Sequence, residues 1–113
     1  MIVYEVNLSI DTAIFQAYKD WLEAHIDEML RFPGFIRATL LHPALDDKLP
    51  ATSAQQQLSV QYTLENAEDL QSYLRDHAPK MRGDGIARFG NRFTATRRIF
   101  EVKKVLNATE ISD

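Results

Sequence analysis

Residues 11–30 read DTAIFQAYKDWLEAHIDEML, and the Pro33-Gly34 pair follows shortly behind. At about 100° per residue, Ile14, Tyr18, Trp21, Leu22, His25 and Met29 fall on one side of a helix. Gln16, Asp20, Glu23 and Asp27 fall on the other. This stretch is therefore an amphipathic helix that lays an apolar stripe on something flat. Its stop signal is Pro33, because the residue before proline is pushed out of the α region, and Gly34 turns freely. Asp11 is placed to cap its first turn. His25 lies on the apolar arc, one turn beyond Trp21 and one turn before Met29, so a titratable ring is aimed at the core.

Outward from the helix, strands alternate. Ile2, Tyr4, Val6 and Leu8 face one way, and Val3, Glu5 and Asn7 the other, which predicts a half-buried strand. Phe35 to His42 is a second strand, with Ile36, Ala38 and Leu40 opposite Arg37 and Thr39, and Pro43 ends it. Residues 44–56 lose periodicity and fill with Pro, Asp, Ser, Ala and Gln, which predicts a long mobile loop. Leu58 to Leu64 is a third strand. Asn66 caps a second helix whose stripe runs Ala67, Leu70, Tyr73, Leu74 and His77, so a second histidine is expected inside. Pro79 suits a first helical position, and a weak helix, carrying Gly83 and Gly85, is expected to reach about Phe89. Phe93 to Val102 is the last strand, with Phe93, Ala95, Arg97, Ile99 and Glu101 on one face.

The order is β-α-β-β-α-β, the ferredoxin-like split βαβ plan in the α+β class. It places both helices on one face of a four-stranded antiparallel sheet and leaves the other bare. The expected organisation is one domain over residues 1–104 with a tail at 105–113. The polar content of the bare face, from Glu5, Asn7, Arg37, Thr39, Gln61 and Thr63, predicts a partner with matching polar groups. A second copy of the chain, packed sheet to sheet, answers that description.

Composition narrows the chemistry. With 113 residues the chain supports one core. Its 16 acidic and 13 basic residues give a net charge of −3, against non-specific nucleic-acid binding. Basic residues crowd the last third, from Lys80 to Lys104, and are expected to pair with the acidic helix faces. No cysteine is present, which excludes disulfides and thiolate chemistry. No apolar run nears the roughly 20 residues that span a bilayer, and Met1-Ile2-Val3-Tyr4-Glu5 carries no basic leader. A cytoplasmic protein that acts at no membrane is expected.

The spacing Trp21…His25…Met29…Phe35, then Val60-Gln61-Tyr62, Tyr73…Ala78-Pro79 and Phe89…Phe93-Thr94-Ala95…Arg97, resembles a family of short bacterial proteins of unknown function. That family sits in the dimeric α/β-barrel superfamily. The resemblance covers residues 2–102. Asp27 stands where the family has proline, and the 44–56 loop is longer. What the resemblance implies is a homodimer of facing sheets. Some members of the superfamily are cofactor-free or haem-dependent monooxygenases with a cleft between sheet and helices.

By periodicity Trp21, His25, Tyr62, His77 and Arg97 all point into that helix–sheet layer. His25 is the candidate catalytic base or ligand donor; its structural alternative is a core histidine satisfied by a carbonyl or a tyrosine hydroxyl. Trp21, Tyr62, His77 and Arg97 are the candidate ligand-binding residues. A guanidinium on an apolar strand face is costly without an anionic partner, and Glu28 or a bound carboxylate would supply one; the alternative is a strand-end residue reaching water. Two histidines on separate helices fall short of a metal signature. No nucleophile elbow or phosphate loop is present. The inner strands offer no aromatic platform on the bare face, which argues against RNA. Two functions remain: a protein or small enzyme binding an aromatic, partly anionic ligand, for which haem is one candidate and no cofactor is required, or a non-catalytic dimerisation or regulatory module.

Overall fold

The computed structural model describes residues 1–44 and 54–109. Strand β1 (Ile2–Asp11) passes through a single 3-10 turn (Thr12–Ile14) into helix α1 (Phe15–Met29). Strands β2 (Phe35–Leu41) and β3 (Gln55–Leu64) follow, then helices α2 (Ala67–Asp76) and α3 (Ala78–Phe89), and strand β4 (Phe93–Glu101). The sheet order is β2-β3-β1-β4 with every neighbour antiparallel, so the fold is the expected ferredoxin-like one.

The core lies between the sheet and the helices. Tyr4, Leu8 and Ile10 of β1 and Leu58, Val60, Tyr62 and Leu64 of β3 meet Tyr18, Leu22, Ile26 and Met29 of α1 and Leu70 and Tyr73 of α2. Asn66 caps α2, its side-chain oxygen accepting the backbone N–H of Asp69 at 2.9 Å. Helix α3 keeps its full twelve residues despite two glycines. Gly85 is why it can approach α1: a Cβ there would stand 3.0 Å from the Trp21 indole and 3.5 Å from the Phe93 ring.

Four local expectations are corrected. Asp11 makes no side-chain cap to the turn after it; its carboxylate lies 3.5 Å from Arg92 instead. A bulge between Phe35 and Arg37 puts Phe35, not Ile36, on the helix side. Phe35 packs on Tyr62 and Tyr73, while Ile36 is exposed. Gln55 and Gln56 are not loop but the first residues of β3; residues 45–53 of the expected loop lie outside the described residues. Of the basic residues of the last third, Lys80 pairs with Asp84 on helix α3 as expected, but Arg98, Arg92 and Lys103 pair with the strand carboxylates Glu5, Asp11 and Glu101 rather than with acidic helix faces.

The bare face of the sheet is a hydrogen-bonded polar array. Glu5, only 7% exposed, accepts from Asn7 at 2.8 Å, Gln61 at 3.0 Å and Arg98 at 2.8 Å. Ser59 donates to Asn7, and Arg98 also lies over the Phe100 ring at 5.0 Å. Asn7, Arg98 and Gln61 hydrogen bonds hold the Glu5 carboxyl down at about 2, well below the usual carboxylate range.

Candidate functional site

Alternation along β1, β3 and β4 sends Tyr4, Tyr62 and Arg97 toward the helices. Helical spacing on α1 brings Tyr18, Trp21 and His25 to meet them. The space left between sheet, α1 and α3 is a cleft of about 60 Å³, lined among others by Tyr4, Tyr18, Trp21, His25, Tyr62, Tyr73, Arg82 and Arg97. Those tyrosines are all four in the chain, and the tryptophan is the only one. Arg82 and Arg97, both exposed, mark its open rim. The cleft is therefore a small, open-mouthed one rather than a sealed cavity.

Each wall has a definite geometry. The His25 ring stacks on Trp21 with centroids 4.6 Å apart and planes at 25°. Tyr18 packs on Trp21, Phe89 and Phe93 at 4.9–5.5 Å, and Tyr4 stacks on Tyr62 at 6.0 Å. Burial pushes the His25 imidazole below its ordinary value of 6.5, against the opposing pull of Glu28 and Asp84, so the ring is neutral at pH 7. Burial also pushes the phenols of Tyr18, Tyr62 and Tyr73 up, which keeps them protonated.

Of the residues singled out from the sequence, Trp21, His25, Tyr62 and Arg97 come together in the cleft. His77 does not. It lies at the joint between α2 and α3, exposed and stacked on Phe32 at 4.3 Å, and lines a separate depression with Asp69 and Asp76. The helical wheel misplaced it because α2 ends at Asp76, one residue earlier. His25 itself stands at the margin of the buried stripe, which Ile26 completes. Glu28 is not the partner of Arg97. Among the described residues Arg97 makes no ion pair or hydrogen bond. Tyr4, Tyr18, Tyr73 and Arg82 were missed as site residues. The available signal was that inward positions on four elements carry tyrosine where leucine or valine would fill a core as well.

Among the described residues no group of three His, Asp or Glu side chains is arranged to hold a metal ion, and no helix is long and apolar enough to cross a membrane.

Solved structures share the fold over nearly the whole chain. SnoaB, a cofactor-independent oxygenase from Streptomyces nogalater, is 16% identical in a variant form, with 95% of this chain and 98% of that one covered and a TM-score of 0.69. A Deinococcus radiodurans protein named for antibiotic biosynthesis monooxygenases is 10% identical, covering 97% and 100%, with a TM-score of 0.73. A dimeric ferredoxin-like protein from an uncultured marine organism is also 10% identical, covering 93% and 97%, with a TM-score of 0.68. At such identities the likeness is one of fold. No functionally curated protein matches the sequence. Residues 1–103 match the family described as a domain of unknown function, DUF4286, and the chain belongs to that family.

Proposed function

We propose that the protein binds a small, planar, aromatic anion in the cleft between sheet and helices, and does so as a homodimer. The observation that carries the reading is Arg97. Its guanidinium stands at the rim of a cleft walled by the only tryptophan and all four tyrosines, with no anionic partner among the described residues. An apolar slot with a few convergent polar groups is the usual make-up of a small-molecule site. Arg97 takes the charge of the ligand, Trp21 and the tyrosines cover its ring, and neutral His25 accepts or returns a proton.

The test uses Trp21 as reporter. Titration with hydroxylated aromatic acids should quench its fluorescence saturably. Arg97→Gln should abolish the effect, and His25→Ala should weaken it. Haem is titrated alongside them, and a saturable response to haem but to none of the acids would overturn the assignment of the ligand as a small aromatic anion. Absence of quenching across the acids would leave the residues as core and favour a non-catalytic module. The likeness to an oxygenase supports measuring oxygen uptake with any acid that binds. Turnover would make the protein an enzyme using His25, and binding alone a carrier or sensor.

Two features support the dimer. The polar array around Glu5 lies on a sheet face that no helix covers among the described residues, and a neighbour in fold is named as dimeric.

A further inference from the structure

Tyr4 is held differently from the other tyrosines of the cleft. Arg82, on α3, donates from Nη2 to the Tyr4 hydroxyl at 3.1 Å. A guanidinium can only donate, so it occupies a lone pair and leaves the phenol proton free. Among the described residues nothing accepts that proton. The adjacent positive charge makes the O–H a stronger donor. Pairing in β1 fixes the backbone of Tyr4, and the rings of Tyr62 and Tyr73, at 6.0 and 6.2 Å, fix its own. The result is a preorganised donor at 2% exposure.

The remaining hydroxyls point the same way. Those of Tyr18, Tyr62 and Tyr73 have no hydrogen-bond partner among the described residues. Yet no buried side-chain nitrogen or oxygen there is both sealed from solvent and unpartnered. These three hydroxyls are therefore within reach of solvent, and all three residues line the cleft. A bare hydrocarbon ring seated there would strip water from them and return no hydrogen bond, a penalty that an oxygen-bearing ring avoids.

We infer that the cleft selects oxygenated rings through Tyr4, oriented by Arg82, and that its ligand class is an aromatic acid carrying a second oxygen function, hydroxyl or carbonyl. This rests on the reading of the cleft as an aromatic-anion site and adds the group that discriminates among such anions. Tyr4 is a specificity residue, and Arg82 is a positioning residue that acts through it.

The probes are benzoate and its three monohydroxy isomers, with binding followed by Trp21 fluorescence and by calorimetry. At least one isomer should bind the wild-type protein about tenfold or more tighter than benzoate, as expected of a site built to hydrogen-bond a ligand oxygen. Tyr4→Phe, which keeps the ring and removes only the hydroxyl, should bring that preference to within about twofold. Arg82→Met, a change at an exposed position, should do the same, and it keeps the test decisive should Tyr4→Phe fold poorly. Arg97→Gln should weaken all four acids together. Equal binding of benzoate and every isomer, or a preference that survives both variants, overturns this inference and leaves the aromatic-anion site standing. If none of the four acids binds the wild-type protein, both fall.

Discussion

His25 stacks on Trp21 at the edge of the core, where burial disfavours its charged form. Its folded-state value lies below the unfolded one, so its share of stability is complete above about pH 6.5 and is lost as the pH falls below that. His25→Ala should cost on the order of 1–3 kcal/mol at pH 7, and the gap to wild type should narrow in denaturant titrations at pH 5. A constant gap would mean that the ring is not desolvated. Gly34 is a second position where one residue decides the backbone. Its φ of +85° is strained for any residue with a Cβ, and a Cβ there would run into the Asp69 side chain. Gly34→Ala should destabilise by on the order of 1–3 kcal/mol, measured as a shift of the urea midpoint. The sequence marked this glycine correctly as the turn after α1. It did not reveal Asp69 beneath it, because that contact joins the turn before β2 to the start of α2.

At the scale of elements, local chemistry was legible wherever it stays within one element. Alternation in β1 and β3 placed Tyr4 and Tyr62 on the helix face, and Asn66 announced α2. Asn66→Ala should cost roughly 1 kcal/mol, read from thermal unfolding. Signals that depend on a neighbouring element were not legible. The bulge that turns Ile36 outward exists because β2 pairs with β3 in a shifted register. Asp11 serves Arg92 rather than the turn it precedes, since the start of β4 lies alongside. Gly85 looked like a weakness in α3, yet it marks where α3 and α1 touch across Trp21. Gly85→Val should therefore displace the indole and shift its emission while the far-ultraviolet helix signal is kept. An unchanged emission spectrum would show that α3 can move away without disturbing the cleft.

The described residues form two layers, with the helices packed on one side of the sheet and a polar face on the other. Two such faces in contact should bury at least ~1,200 Å² in total, and light scattering at micromolar concentration should return twice the 13.0 kDa chain mass. A monomeric mass would refute the pairing. Glu5 sits at the middle of that face with a carboxyl held near 2, below its ordinary 4.5. Its contribution is complete above about pH 4.5 and disappears as the pH falls toward 2. The melting temperatures of wild type and Glu5→Gln should therefore differ at pH 7, begin to draw together below about pH 4.5, and converge only near pH 2. Behind the sheet, the clustering of every tyrosine with the only tryptophan has an optical consequence. Excitation absorbed by any phenol has the Trp21 indole as a nearby acceptor, 5.5 Å from the Tyr18 ring. The native protein should thus be nearly silent in tyrosine emission, and the appearance of a tyrosine band would time the separation of α1 from the sheet, independently of any loss of secondary structure.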